Sequence, residues 1–537
     1  MAHEISSATF GRILAIILLL LCVNAGIQAE AGSAKKEAAA KKAPPPPPAF
    51  TFLNVIEKAK ALAAAPYRAP QGMVPPVLLN ATYDQWRDIR FQTDKSLWRA
   101  EKLPFEVQFF HPGLYYDRTV AINIVDEGKV SRYPVTKGLF NYGKNTFTDE
   151  IPDDVGAAGF RFHAPIKTKD YYDEFLVFLG ASYLRAVARD HHYGLSARAI
   201  AVDTATPTGE EFPWFREFWL VKPKPKDTTV SLYALLDSPS LTGAYSFRVT
   251  PGVETIIDVQ SVLFLRKNVQ KLGIAPLTSM FLFGENSNRK PREDYRPEVH
   301  DSDGLLIHFD SGEWLWRPLQ NPRTLQVNTF NAPDIRGFGL LQRDTKFQNY
   351  EDLEARYENR PSVWIEPKGN WGPGKVELIQ IPSTEEIHDN IVSFWMPDQQ
   401  PPPGEPVRYD YTMRWFTPSI KTSPPGYVTA TRIARGKDDK NWVFVLDWDG
   451  EAIRKLKEDT KLEGVVTVMS EGARLVQVQT YRNTVTGGWR LSFEITIDPE
   501  TAIGKVLPDR RPPVELRAFL KNGPDFFTET WSYAFKP

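Results

Sequence analysis

Arg296 to Pro318 reads RPEVHDSDGLLIHFDSGEWLWRP and crowds carboxylates, two histidines, two tryptophans and two arginines into one short segment. Groups this costly to desolvate gather for a metal, for a set of ion pairs, or for half of a catalytic site. The metal readings are weak. With Asp301 as the first position of an EF-hand loop, Gly304 falls fourth rather than sixth, and Gly312 stands where the bidentate glutamate belongs. The chain has no HExxH and no paired His/Cys spacing for zinc, and no GxSxG elbow for a serine nucleophile. GLFNYGKN (138–145) has the outline of a phosphate loop, but Asn145 replaces the magnesium-binding hydroxyl and Leu139, Phe140 and Tyr142 make a poor cradle. It reads as a turn. No metal and no cofactor are expected.

Glycoside chemistry fits the segment better. It needs two carboxyl groups across a cleft, one protonated to assist the leaving oxygen and one to activate water or attack carbon. Sugar rings also want aromatic faces and charged forks. Asp301 and Asp303 offer the carboxyls, with Arg296, His300, Trp314, Trp316 and Arg317 around them. A second polar and aromatic cluster follows in ARYENRPSVWIEPKGNWGPG (355–374) and IPSTEEIHDNIVSFW (381–395). Spacing alone pairs none of these carboxylates with another.

The elements that must position them read as β. At 537 residues, two or three domains are expected, and a net charge of −1 gives no field to draw a nucleic acid. RILAIILLLLCVNAGIQA (12–29) has an apolar core too short for a membrane span, so residues 1–29 read as a signal peptide, with no span left after its removal. Cys22, the one cysteine, leaves with it. Residues 30–49, rich in Ala, Lys and Pro, form a disordered linker. FLNVIEKAKALAAA, stopped by Pro66, is the first helix. Beyond residue 100, short branched and aromatic runs bounded by Pro, Gly, Asp or Asn predict one large sandwich over 50–395. MPDQQPPPGEP (396–406) is taken as the boundary, and some seven alternating strands over 407–537 predict an immunoglobulin-like sandwich.

SMFLFGEN, DYRPEVHDSDGL, GEWLWRPL, RYENRPSVWIEPKGNWGPGKVELIQIPS and HDNIVSFW closely resemble the periplasmic glucan biosynthesis proteins of the G and D types, from about Phe50 to the C-terminus. The resemblance implies a galactose-mutarotase-like β-sandwich followed by an immunoglobulin-like one. It implies a periplasmic protein needed for osmoregulated glucans, and an inverting endo-glucanase on their β-1,2-linked backbone. Some relatives transglycosylate and cyclise the glucan instead, and homodimers occur. The other reading is a non-catalytic glucan-binding scaffold beside the inner-membrane synthase.

Carried onto this chain, the general acid is Asp389 and the base Asp301, with Tyr357 in the proton path. His388 stands where relatives often carry Asn. The absence of a twin-arginine pair suits the G branch. Arg296, His300, Asp303, Trp316, Arg317, Arg356, Trp364, Trp371 and Glu386 are expected to bind substrate, and Trp442 to reach the cleft if the second domain or a partner leans over it. Burial or Glu386 should raise the Asp389 pKa, and Arg296 or His300 should keep Asp301 ionised. Inversion predicts the two carboxyls roughly 6.5–9.5 Å apart.

Overall fold

Thr51 opens the helix Phe52–Ala64, its N–H bonded to Asn54 Oδ1 at 2.8 Å, and Pro66 closes it by holding Ala65 extended. Val55 and Ala59 are buried against Trp219, Ala244 and Phe264. Along the strand Val230–Asp237, Tyr233 and Leu235 meet this helix while Leu232, Ala234 and Leu236 enter the main core, the two-residue period of a sheet covered on both faces. The structure is a computed structural model that describes residues 48–287, 293–418, 424–437, 441–457, 459–497 and 512–536. The expected signal peptide 1–29 and nearly all of the linker 30–49 lie outside the described residues.

Among the described residues, a ten-stranded sheet and a fifteen-stranded sheet enclose the main core. Aromatic rings interlock across it: Phe160 meets Phe218 at 4.8 Å and Phe178 meets Phe247 at 5.2 Å between centroids. The all-β reading holds. Its internal boundary does not. The stretch 396–406 carries the chain from Ile391–Pro397, in the ten-stranded sheet, to Pro406–Phe416 in the other. Pro406–Phe416 then pairs on both sides within the large sandwich, with Thr255–Leu265 and Ser362–Lys368. Prolines end a ladder, and here they mark a crossing between sheets rather than between domains.

The second sandwich starts at the strand Tyr427–Arg435. Its four-stranded sheet packs on Glu463–Val468, Val514–Asn522 and Thr530–Phe535 around Phe444, Leu491, Phe493 and Trp531. In the strand Asn441–Asp449, Trp442, Phe444, Leu446 and Trp448 alternate into that core. Thr530–Phe535 also runs parallel to Trp314–Pro318, pairing Leu315 with Thr530 and Trp316 with Trp531. The fifteen-stranded sheet therefore passes through both sandwiches.

Register sorts the connections of the large sandwich between its two ends. Gln326 lies opposite Gln380, and Ile391 opposite both Gln380 and Ser279. The connections after Ser279, Pro318, Leu341 and Gln380 leave from that end. Those joining Phe309 to Trp314, Asn331 to Ile335 and Lys368 to Gly374 leave from the other.

Candidate active site

Asp301 and Asn390, the neighbour of Asp389, are far apart in sequence but fastened to adjacent residues of one segment. The Asp301 N–H donates to Met280 O at 2.8 Å. The next residue, Phe281, donates its N–H to Asn390 Oδ1 at 2.8 Å and accepts from Asn390 Nδ2 at 3.0 Å. Asn390 Nδ2 also donates to Ile381 O at 3.0 Å, closing the loop that carries Asp389. The buried Asn390 amide thus holds the backbone of its neighbour against the segment that holds Asp301.

The two carboxyls lie within reach of each other's charge. Burial lifts the Asp301 pKa and Asp389 lifts it further, opposed by the Arg360 guanidinium paired with it. Asp389 is more open, with its side chain 31% exposed and Arg185 Nη2 at 3.7 Å. Partial desolvation raises its pKa, against Arg185, Arg198 and Arg360. Tyr357–Asn359 is a 3₁₀ turn in which residues three apart eclipse, so Arg360 comes to lie 4.1 Å from the Tyr357 ring centre. Gly194 leaves room for the Arg360 stem, because a Cβ there would stand 2.9 Å from Arg360 Cβ. The Tyr357 hydroxyl donates to Glu386 Oε2 at 3.2 Å, and burial raises its pKa.

Asp389 opens on a cleft of about 970 Å³. Asn286, Gln320, Asn321 and Gln326 line it with amides, Ser383 and Thr384 with hydroxyls, and His388 sits on its rim. The far wall belongs to the second sandwich, which contributes Trp442, Tyr533 and Lys536. Neutral donors and acceptors of this kind suit a polyhydroxylated ligand.

Several expected binding residues lie elsewhere. Arg296 does not pair with Asp301. It joins Asp294, Asp352 and Glu386, the last at 2.7 Å, and so ties three loops beside Tyr357. Glu386 is occupied by that pair and by Tyr357, and does not set the pKa of Asp389. His300 ends the short strand Val299–His300 and does not pair with Asp301, whose partner is Arg360. It meets Glu298 at 2.9 Å, Asp303 at 3.5 Å and Gln342 at 3.0 Å in a largely buried cluster. Burial opposes its positive charge, but Asp303 and Glu298 outweigh burial and hold its pKa up to about 9. Asp303 also accepts the backbone N–H groups of Arg343 and Asp344. Arg317 is buried against Glu515 and Ser532, binding one sandwich to the other. Arg356, in the left-handed region at φ 46°, pairs with Glu358 at 2.5 Å.

The tryptophans divide. Trp316 and Trp364 belong to the core between the sandwiches, 3% and 4% exposed. Gly304 lies beneath Trp316, where a Cβ would stand 2.3 Å from the ring, and Gly337 plays the same part for Trp364. Removing such a side chain costs about 3–5 kcal/mol, so loss of binding in Trp316→Ala would report unfolding rather than lost stacking. Trp371 packs on Trp395 and Tyr411, outside the cleft lining. Trp442 alone of the four lines the cleft, with Arg435 3.7 Å from its ring centre. Arg185, Arg198, Arg360 and Asn390 escaped the sequence reading, although Arg360 and Asn390 stand inside its motifs.

Residues 50–535 match the family model described as periplasmic glucan biosynthesis protein, MdoG. The chain is also similar to glucans biosynthesis protein G of Ralstonia nicotianae, 44% identical over 498 residues, which cover 91% of this chain and 96% of that protein.

Proposed function

Because the chain belongs to the MdoG family of periplasmic glucan biosynthesis proteins, we propose that it acts in the periplasm on the β-1,2-linked glucan backbone as an inverting endo-glucanase. Segment 1–29 directs its export. The observation that carries the reading is the pair itself: Asp389 open to the cleft, Asp301 buried within reach of its charge, with Asp301 bonded to Met280 and Asn390, the neighbour of Asp389, bonded to Phe281.

The roles follow from the surroundings. Desolvation favours the protonated form of Asp389, which gives its proton to the glycosidic oxygen as the bond from the anomeric carbon breaks. A water attacks that carbon from the opposite face and loses a proton to Asp301, directly or through Tyr357. The Arg360 guanidinium paired with Asp301 favours the ionised form that accepts the proton. One bond breaks, one forms, and both protons are placed. A sugar hydroxyl in place of water would make the step a transfer. The glucan is the partner this requires. A second copy of the chain and the inner-membrane synthase are further partners of the proposal.

Purified protein incubated with linear β-1,2-glucan should shorten it and release the α-anomer at the new reducing end, read by NMR. Cyclised products would assign the transfer reaction. An unchanged polymer would overturn the enzymatic reading in favour of the scaffold.

A pH signature follows from Arg360, whose charge lowers the pKa of both aspartates. Arg360→Gln removes it, so both carboxyls hold their protons to higher pH. The acid limb, set by Asp301, and the alkaline limb, set by Asp389, should move upward together. A lowered rate with an unmoved pH profile would refute this electrostatic role.

A further inference from the structure

The far end of the large sandwich encloses a second hollow of about 420 Å³, within the range of small-ligand sites. It is built where three connections converge: Phe309 to Trp314, Asn331 to Ile335 and Lys368 to Gly374. Asp310, Asp334, Asn370 and Trp371 line it, with the backbone of Gly369 and Gly372. Those glycines sit at φ +77° and +82°, and nothing lies within 4 Å of where their Cβ atoms would be. Two bare stretches of backbone therefore face open space.

The chemistry of the lining is that of a sugar site. Trp371, 9% exposed, is held by its indole N–H on Asp410 O at 3.1 Å and adds only a small apolar surface to the hollow. Asn370 spends its oxygen on Gly372 N–H at 2.6 Å, while its amide nitrogen has no partner among the described residues. Asp310 shares its carboxylate with Arg336 Nε at 3.2 Å, and the exposed Asp334 carboxylate has no partner among the described residues. Carboxylates accept from hydroxyls, an amide donates to them, and bare backbone lets a ring approach. The two carboxylates disfavour an anionic ligand.

A track joins the hollow to the cleft. Gln326–Asn331 is the edge strand of the ten-stranded sheet. Gln326 lines the cleft and Asp334, in the hollow, follows just beyond the strand's other end. Val327, Thr329 and Asn331 are exposed along it. At about 3.3 Å per residue the strand spans roughly 20 Å. We propose that the hollow is a second binding site for the same glucan, engaged by chains long enough to follow this edge from the cleft. The inference rests on the glucan reading above.

Linking two weak sites through one polymer raises apparent affinity without new contacts at either. In full-length protein carrying Asp389→Asn to suppress turnover, long β-1,2-glucan should bind on the order of tenfold more tightly than short oligosaccharides by calorimetry. Adding Asp334→Ala with Asn370→Ala should bring the long-chain affinity down to the short-chain value. Hydrogen exchange in the otherwise unaltered protein should slow at 369–372 with long chains only. Cleft protection without protection at 369–372, or a long-chain affinity untouched by the double substitution, overturns the second site. If glucan protects neither region, the glucan reading itself fails and this inference with it.

Discussion

Asp389→Asn should lower the rate of β-1,2-glucan cleavage by about 10²–10⁴-fold, the range a positioned general acid supplies, with glucan affinity retained. The amide has nearly the shape of the acid, and the clamp that fixes this position belongs to Asn390 rather than to Asp389. Asp301 and Arg360 stay paired. Loss is therefore confined to the proton that the leaving oxygen needs. Two signatures separate this from general damage. The alkaline limb of the pH profile should vanish, since the titrating acid is gone. A glucoside with a good leaving group, which departs without protonation, should recover most of its rate. Near-normal cleavage of glucan by the variant would end the assignment.

Glu529→Gln should destabilise the protein by about 3–5 kcal/mol, the effect of stripping one partner from a buried ion pair. Both Glu529 oxygens are engaged by Arg343, at 2.7 and 2.8 Å, and Oε1 also accepts the Val428 N–H at 2.8 Å. Arg343 comes from the large sandwich and lies 3.5 Å from the centre of Trp316, while Glu529 and Val428 belong to the second sandwich. The substitution leaves a buried guanidinium facing an amide at the seam between the two. Removing both charges with Arg343→Met as well should cost less than the single change, because no unpaired charge remains. Urea unfolding measures both. A single-variant loss below about 1 kcal/mol would show the pair to be solvated and weak.

Much of this framework can be read from local rules. The first helix follows from Thr51, its apolar face and Pro66, and the second sandwich from the alternation in NWVFVLDWD. Other features depend on distant pairings. His300 is taken up by Glu298, Asp303 and Gln342, partners that only the fold brings to it. Nothing local to Trp316 says that Gly304 makes room for it, and a tryptophan over a glycine trough has the same sequence signature as one that stacks on sugar. Arg360 partners Asp301 because a 3₁₀ turn and Gly194 steer it there. The proline stretch 396–406 signals a break in a ladder but not which sheet receives the next strand.

The sheet that passes through both sandwiches also determines how the cleft can move. Its walls, Asp389 on one side and Trp442, Tyr533 and Lys536 on the other, would be jaws if a flexible tether joined the two bodies. Instead the backbone ladder between Trp314–Pro318 and Thr530–Phe535 couples them, with Arg317 and Arg343 bolting the seam. A hinge there would have to break buried hydrogen bonds at every stroke. The width of the opening is accordingly fixed by the fold, and on the glucan reading a chain enters only in a shape that already fits it.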